Sequence, residues 1–153
     1  MRVGIGYDSH RFEAGRRLVL GGVEIEHDAG LAGHSDADVI THAVIDALLG
    51  ASGLGDLGTH FPPDDERWRD ADSLDLLRTV LEMLDGRVAN VDATVICEAP
   101  KLGPYRAQIE LNLSDALGAP ANVKATTNEG MGFTGRGEGI ACIAVALIES
   151  ASV

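Results

Sequence analysis

One carboxylate and two imidazoles in the first third of the sequence have the types and spacing of a metal site. Asp8 and His10 end a glycine-interrupted apolar run that begins at Val3, and His42 lies in a later apolar-periodic segment. Alternate side chains of an extended strand share a face, so we expect Asp8 and His10 to project together. Three such ligands leave one coordination position open, which is typical of a catalytic zinc ion and not of a structural one.

Each of these three residues also has a common structural role as an alternative to metal binding. Most exposed Asp and His residues are only solvated, and a lone histidine on an apolar helix, such as His42, is more often a core residue than a ligand. Asp38 and Asp46 lie one helical turn on either side of His42. In a metal site, we expect these two carboxylates to orient the imidazole.

Two further segments have the chemistry of an anion site. His34 and Ser35 precede a predicted helix, whose N-terminus favours phosphate through its free N–H groups and its dipole; the alternative is that Ser35 only caps the helix. Five glycines between residues 130 and 139 would let the backbone approach a ligand closely, and Arg136 would hold phosphate. Glu129 is either a ligand for magnesium or a solvated loop carboxylate.

Composition excludes several classes of partner. The chain has 153 residues and a net charge of -12, which argues against nucleic acid and against an anionic membrane surface. Cys97 and Cys142 lie in apolar runs and are predicted to be reduced core thiols. We expect no signal peptide, because the chain enters a strand at once, and no apolar stretch has the length of a membrane span. These features predict a cytoplasmic protein.

The elements that position these residues are predicted from apolar periodicity. Strands are predicted over residues 2–7, with continuation to His10, and over 88–97, 122–127 and 140–148, with a hairpin or bulged strand over 18–25. Helices are predicted over 36–50, 73–84 and 104–117, and loops over 27–35, 56–72 and 128–139. The first helix would be capped by Ser35 or Asp36 and ended by the segment from Gly50 to Gly55, and Gly118 would end the third.

This pattern predicts an α+β fold: a single domain over residues 1–153, with a mixed β-sheet in a β-α-β-α-β-β core packed against helices. The last strand, 140–148, has no polar face, so both of its faces must be covered. Three helices cover one face of a small sheet well and the other poorly. We therefore expect an oligomer whose subunits pack their sheet faces together.

Taken together, the motifs resemble one family, the 2-C-methyl-D-erythritol 2,4-cyclodiphosphate synthases of the non-mevalonate route to isoprenoids. The resemblance covers the chain from end to end at compatible spacing. The segments that carry it are Gly4-x-Gly6-Tyr7-Asp8-x-His10, Leu20-Gly21-Gly22, Gly33-His34-Ser35-Asp36-Ala37-Asp38, His42-Ala43, Asp46-Ala47-Leu48-Leu49-Gly50, Gly55-Asp56-x-Gly58-x-x-Phe61-Pro62, Ala99-Pro100-Lys101, Lys124-Ala125-Thr126-Thr127 and the run from Gly132 to Gly139.

The resemblance implies a homotrimer, similar in fold to the trimeric chorismate mutases, with active sites between neighbouring subunits. It implies a zinc ion on Asp8, His10 and His42. Glu129 would hold magnesium or manganese together with the substrate diphosphate. His34 and Thr127 match the residues that orient the phosphates and stabilise the transition state.

The resemblance also implies positions that contact the substrate. Asp56 and Gly58 match residues that hold the cytidine ribose, and Lys101 lies near the diphosphate in a loop, 97–103, that reads the cytosine. Phe133 and Arg136 match residues near the subunit interface, where some members accept isoprenoid diphosphates. The full set of predicted substrate contacts is Ser9, Ser35, Asp46, Asp56, Leu57, Gly58, Phe61, Asp65, Ala99, Pro100, Lys101, Leu102, Gly103, Thr126, Asn128, Phe133 and Arg136.

The implied reaction is a cyclisation. 4-Diphosphocytidyl-2-C-methyl-D-erythritol 2-phosphate would give the 2,4-cyclodiphosphate with loss of CMP, which makes the family phosphorus–oxygen lyases. Asn128 and Gly130 stand where members often have a threonine and a lysine. The lost positive charge predicts lower turnover or affinity but the same reaction.

Two other classes of function remain as alternatives. A zinc phosphohydrolase would use the same triad to deliver water, with Asp46 or Asp38 as general base. A trimeric module that only binds a metal or an isoprenoid would not depend on His34 or Thr127.

Overall fold

The computed structural model describes residues 1–151, so the last two residues of the predicted 1–153 domain lie outside the described part. Seven strands and five helices follow one another along this range. In chain order they are β1 (Arg2–Ala14), β2 (Leu18–Leu20), β3 (Val23–Ile25), β4 (Ala29–Leu31), α1 (Val39–Ser52), α2 (Leu57–His60), a 3-10 turn (Glu66–Trp68), α3 (Ser73–Leu81), β5 (Arg87–Ile96), α4 (Arg106–Leu117), β6 (Ala121–Thr126), α5 (Gly132–Gly135) and β7 (Gly139–Glu149).

Five strands form a mixed sheet in the order β4-β1-β7-β5-β6, and β2 and β3 form a separate hairpin. β7 runs antiparallel to both β1 and β5, whereas β5 and β6 run parallel. Parallel neighbours need a crossover connection, which α4 supplies. The sequence β1, α1, β5, α4, β6, β7 confirms the predicted α+β fold with its β-α-β-α-β-β core.

Helix α1 packs directly on the backbone of β1 because two glycines of the strand carry no side chain. A Cβ added at Gly4 would lie 2.0 Å from the carbonyl oxygen of Ala47, and one added at Gly6 would lie 1.9 Å from that of Ala43. Both distances are far inside van der Waals contact, so only glycine permits this approach. His42 is thereby brought against the middle of β1, which carries Asp8 and His10.

The start of α1 differs from the prediction. The helix begins at Val39 and its N-cap is Asp38, whose side chain accepts a hydrogen bond from the Thr41 backbone N–H. The Asp38 carboxylate also accepts from the backbone N–H groups of Gly21 and Gly22, both at 2.8 Å, and so ties the β2–β3 hairpin to the helix. The predicted caps Ser35 and Asp36 were therefore wrong.

Other boundaries also differ. β1 continues to Ala14, and α3 ends at Leu81 in place of residue 84. α1 ends at Ser52 with Gly53 as its C-cap, within the predicted stop over residues 50–55. The three predicted loops each contain a short element, namely β4, α2 with the 3-10 turn, and α5. The hairpin over residues 18–25 and the left-handed cap Gly118 are confirmed.

One face of the sheet remains uncovered within the chain. Ile5 lies opposite Val145 and Tyr7 opposite Ile143 in the β1–β7 register, and all four side chains are exposed. The fractional exposure of Ile5 is 70%. On the opposite face, Ile140, Cys142, Ala144 and Ala146 are buried beneath the helices. Of the helices within residues 1–151, none combines the length and the apolar character that a membrane crossing requires.

Candidate metal and phosphate site

A cavity of about 200 Å³ lies where the middle of β1 meets the start of α1. Eight of the predicted site residues line it, together with three apolar side chains that were not predicted. The predicted residues are Asp8, His10, His34, Ser35, His42, Leu57, Gly58 and Phe61; the additional ones are Pro63, Trp68 and Leu76. Phe61 and Trp68 pack edge to face with ring centroids 4.9 Å apart and give the cavity a rigid apolar wall.

The three predicted metal ligands converge at one point of this cavity. Asp8 Oδ2 lies 2.8 Å from His10 Nε2 and 3.2 Å from His42 Nδ1, and the two nitrogens are 3.3 Å apart. Asp8 Oδ2 is buried, yet neither nitrogen gives it a well-aligned hydrogen bond. An orphaned carboxylate oxygen between two imidazole nitrogens is the donor set that zinc prefers, so these residues fit a divalent cation.

The electrostatics of the cluster favour positive charge. Burial acts to raise the pKa of Asp8, but contact with His10 and His42 outweighs burial and holds that pKa below its ordinary value. Burial acts to lower the pKa of His10, but the Asp8 carboxylate raises it above the ordinary value. A cation bound between Asp8, His10 and His42 would place positive charge beside the Asp8 carboxylate.

The polar surroundings of His42 differ from the prediction. Its Nε2 lies 2.8 Å from Ser73 Oγ and 3.2 Å from Ser35 Oγ. Ser73 in turn donates from both its backbone N–H and its hydroxyl to the carboxylate of Asp36. Sequence reasoning missed Asp36 and Ser73 as partners of His42, because they are 37 residues apart and meet only when α3 packs beside α1.

Asp38 and Asp46 do not orient His42, and that prediction was wrong. All the acceptor capacity of Asp38 faces the hairpin and the first turn of α1. Asp46 Oδ1 accepts a hydrogen bond at 2.8 Å from the backbone N–H of Leu57, at the start of α2. Burial raises the pKa of Asp46 above its ordinary value. This carboxylate positions α2 beside the cavity.

His34 is held by two backbone contacts. Its Nε2 lies 2.9 Å from the carbonyl oxygen of Asp65, and the guanidinium of Arg16 donates to the carbonyls on either side, Gly33 at 2.6 Å and Ser35 at 2.8 Å. The Asp38 side chain caps the N-terminus of α1 through the Thr41 N–H, so the predicted anion site there depends on His34 and Ser35. Arg16 was not predicted, since no motif marks a residue that acts through backbone carbonyls.

The predicted nucleotide contacts near α2 have mainly local roles in this chain. Asp56 caps α2 through the Thr59 backbone N–H at 2.8 Å. Hydrogen bonds from Thr59 hold the pKa of Asp56 below its ordinary value. The Asp65 carboxylate pairs with Arg67, so this residue meets His34 only through its backbone.

A second group of predicted residues lies at the ends of the parallel strands β5 and β6, outside the cavity. Two loops meet there, since Glu98 Oε1 accepts from the backbone N–H of Asn128 at 3.0 Å and of Gly130 at 3.4 Å. Glu129 stands between them with a φ of 53° and is exposed. The predicted residues of this group are Ala99, Pro100, Lys101, Leu102, Gly103, Thr126, Thr127, Asn128 and Glu129, of which only Leu102 is buried.

The remaining predicted residues lie by another cleft. Ser9 and Phe133 line it together with His10, Arg11 and Glu138. Arg136, next to Phe133 on the same loop, pairs with Glu138 at 2.9 Å. The structure thus distributes the predicted site over three places on one chain.

Known proteins match this chain along its length. The profile of the YgbB family matches residues 1–149. The 2-C-methyl-D-erythritol 2,4-cyclodiphosphate synthase of Gloeobacter violaceus is 57% identical over 155 aligned positions, which cover 97% of this chain and 95% of that protein.

Two solved structures share the fold. A 2C-methyl-D-erythritol-2,4-cyclodiphosphate synthase in its CDP-bound form has a TM-score of 0.88 and 36% identity, with 97% of this chain and all of that one covered. The bifunctional IspDF of Campylobacter jejuni has a TM-score of 0.90 and 38% identity over 95% of this chain, which spans 41% of that longer one. The family match over residues 1–149 and the shared fold agree, and the chain belongs to the YgbB family.

Proposed function

We propose that this chain converts 4-diphosphocytidyl-2-C-methyl-D-erythritol 2-phosphate into 2-C-methyl-D-erythritol 2,4-cyclodiphosphate and CMP. The observation that carries the proposal is the metal-binding geometry of Asp8, His10 and His42. The imidazoles of His10 and His42 meet at the buried, unpartnered Oδ2 of Asp8, in the cavity that His34 also lines. The name of the 57%-identical relative and the CDP held by a structural neighbour support the same chemistry.

The reaction needs positioning more than acid–base catalysis. An oxygen of the 2-phosphate forms a bond to the β-phosphorus, and the bond from that phosphorus to the bridging oxygen breaks, so that CMP leaves with the electron pair. The attacking phosphate is already ionised at neutral pH. Holding both ends of the substrate together is worth about 7–11 kcal/mol in favourable intramolecular reactions. The product class makes the enzyme a phosphorus–oxygen lyase.

Each residue of the cavity has a proposed part in that positioning. Asp8, His10 and His42 would hold a divalent cation, proposed to be zinc, that withdraws charge from the β-phosphate oxygens. In its protonated form, His34, whose Nε2–H is held by the Asp65 carbonyl, would donate from Nδ1 to charge that develops on the phosphate. The Ser35 hydroxyl, beside His42, would bind the same group. The apolar wall of Phe61 and Trp68 would take the methylerythritol carbon chain.

The rest of the site would come from a neighbouring subunit. Thr127, Glu129 and Lys101 are exposed and do not line the cavity of their own chain. In a homotrimer, the β5 and β6 loops of one subunit would face the cavity of the next. Thr127 would then reach the transition state, Glu129 would hold magnesium or manganese, and the loop 97–103 would bind cytosine.

The uncovered sheet face supports the trimer. Ile5, Tyr7, Ile143 and Val145 form an apolar strip that a single chain leaves in water. An exposed strip of this kind marks an interface with another chain. Phe133 and Arg136 lie on the neighbouring α5 segment, and an isoprenoid diphosphate at the trimer centre is part of the proposal. Buried free thiols at Cys97 and Cys142 agree with a cytoplasmic location.

The hydrolase alternative finds less support. A general base must reach a metal-bound water, but neither Asp38 nor Asp46 lines the cavity. Both oxygens of Asp38 accept from backbone N–H groups, and Asp46 Oδ1 accepts from that of Leu57. The direct test is ³¹P NMR of the purified protein with the cytidylated substrate, zinc and magnesium. We expect a cyclic diphosphate and one CMP per turnover, both lost in Asp8→Ala and His42→Ala. Inorganic phosphate or an open-chain diphosphate would refute the cyclisation, and metal binding without turnover would favour a binding module.

A further inference from the structure

We infer that Asp36 and Ser73 are positioning residues that set which nitrogen of His42 faces the metal site. The inference rests on the proposed metal site, and it concerns residues that lie behind the ligands and touch neither substrate nor metal. It follows from counting the protons available along a short hydrogen-bonded chain from Asp36 to His42.

The first link of this chain is the Asp36 carboxylate. Its Oδ2 accepts from the Ser73 backbone N–H at 3.0 Å, and its Oδ1 accepts from the Asp38 backbone N–H at 3.1 Å and from the Ser73 hydroxyl. An ionised carboxylate only accepts. The Ser73 hydroxyl has a single proton, so that proton is committed to Asp36. Ser73 is fully buried, which excludes water as an alternative partner.

The second link is the contact between Ser73 and His42. Ser73 Oγ lies 2.8 Å from His42 Nε2, and with its proton committed it can only accept there. Whichever way the Ser35 hydroxyl points at 3.2 Å, a lone pair on Nε2 would face the Ser73 lone pair at 2.8 Å, so Nε2 must carry a hydrogen. In a neutral imidazole the other nitrogen then has a free lone pair. That nitrogen, Nδ1, is the one that lies 3.2 Å from Asp8 Oδ2.

His10 reaches the same arrangement by a different route. Its Nδ1 lies 2.7 Å from the backbone carbonyl oxygen of Ala32, which also only accepts. The lone pair of His10 is thus on Nε2, which faces Asp8 and His42. The backbone orients one imidazole, and the pair Asp36 and Ser73 orients the other. The ligand lone pairs are directed inward before any cation arrives.

Asp36→Asn tests the inference because it keeps the shape but cannot accept from all three donors that hold the Asp36 carboxylate. With the NH₂ group toward Ser73 Oγ, the hydroxyl proton is free to point at His42 Nε2. With the NH₂ group toward the Ser73 backbone N–H, that bond is lost and Ser73 is displaced from His42. We expect zinc affinity to fall about 10- to 100-fold, the usual effect of losing such an outer partner. The affinity is measured by competition with a chromophoric chelator.

Asp72→Asn is the matched control. Asp72 adjoins Ser73, and its substitution by asparagine removes the same charge as Asp36→Asn. Its side chain caps α3 by accepting from the Leu74 backbone N–H, a role that asparagine fills equally well. We expect its zinc affinity to match the wild type within about twofold. Ser73→Ala is the second variant in case Asp36→Asn does not fold. It keeps the backbone N–H for Asp36 but removes the acceptor, and it too should weaken zinc binding.

Histidine ¹⁵N NMR of the metal-free protein at pH 8 gives a readout that loss of packing would not produce. We expect His42 of the wild type to carry its hydrogen on Nε2, and the Asp36→Asn variant to shift it toward Nδ1. Hydrogen on Nδ1 in the wild type, or unchanged zinc affinity in both folded variants, would overturn the inference. A wild type that binds no zinc would instead refute the metal site, and the NMR result would still decide the tautomer.

Discussion

Two adjacent arginines, Arg16 and Arg17, have very different surroundings. The Arg16 guanidinium donates hydrogen bonds to the carbonyls of Gly33 and Ser35 and thus holds the backbone on either side of His34. Arg17 is exposed and pairs with Glu24. A planar guanidinium spans two acceptors in a fixed geometry, whereas a lysine ammonium reaches only one point. Arg16 is therefore a positioning residue for His34.

Arg16→Lys should lower kcat while leaving zinc affinity unchanged, because it loosens His34 but not the metal ligands. Displacing a catalytic group by about 1 Å costs up to roughly 100-fold in rate, so we expect a loss of roughly 10- to 100-fold. Arg17→Lys is the control and should retain the wild-type rate. Steady-state kinetics and a zinc titration of both variants check this, and equal rates for the two would contradict it.

Cys97 is the first residue of the loop 97–103 and is buried in an apolar environment. Burial raises the pKa of its thiol from 9.0 to about 11. The reactive species is the thiolate, whose fraction falls as the pKa rises. At pH 8 we expect Cys97 to react with iodoacetamide at least roughly 100-fold more slowly than a free cysteine. Mass spectrometry of timed samples measures the rate, and rapid modification of the folded protein would show that the loop opens.

At the scale of elements, the close approach of α1 to β1 holds the metal ligands together. Gly6→Ala would force a Cβ into the Ala43 carbonyl and push the helix from the strand. We expect a loss of about 2–3 kcal/mol in the free energy of unfolding, as for overpacked cores. Zinc affinity should fall with it, since His42 moves away from Asp8 and His10.

Gly50→Ala is the matched control for this substitution. Gly50 lies in the same helix and faces the same strand, but a Cβ there would be 3.8 Å from the Ile5 carbonyl oxygen, an ordinary contact. We expect that variant to be as stable as the wild type or more so. Urea unfolding with a parallel zinc titration separates the two variants, and equal behaviour would mean that the helix tolerates displacement.

Long elements were predicted from the sequence more accurately than short ones. Long periodic elements such as β7 and α1 were predicted with only their ends in error, because many residues share one pattern. β4, α2 and α5 have three or four residues each and carry no period. Their stability comes from tertiary contacts, as when β4 pairs with the far end of β1.

In the candidate site, the metal ligands were predictable from the sequence, whereas the partners of His42 were not. Asp8 and His10 were predictable because strand alternation is local, and His42 because it lies on a long helix. The partners of His42 were assigned to the nearest carboxylates along α1, whereas they are Ser73, at the start of α3, and behind it Asp36, which precedes α1. Helix packing, which no single-sequence period encodes, decided between Asp38 and Asp36.

At the scale of the whole molecule, the apolar strip on the sheet should hold the proposed trimer together. Ile5→Glu would place a charge at its centre, opposite Val145, where burial without a partner is costly. We expect this variant to be monomeric by size-exclusion chromatography with light scattering. Leu111→Glu changes an equally apolar side chain that is 52% exposed on α4, and it should remain a trimer. A trimeric Ile5→Glu variant would contradict the assignment of this face.

The separation of the cavity from the β5 and β6 loops has a genetic consequence. If each site takes its metal ligands from one subunit and Thr127 from the next, two inactive variants can complement each other. His42→Ala spoils only the first contribution and Thr127→Ala only the second. An active site then needs a Thr127→Ala chain on the cavity side and a His42→Ala chain on the loop side. In a random equal mixture of refolded or co-expressed chains, about a quarter of the sites have this combination. Recovery of activity from two dead parents would be intragenic complementation, and a site contained within one chain could not produce it.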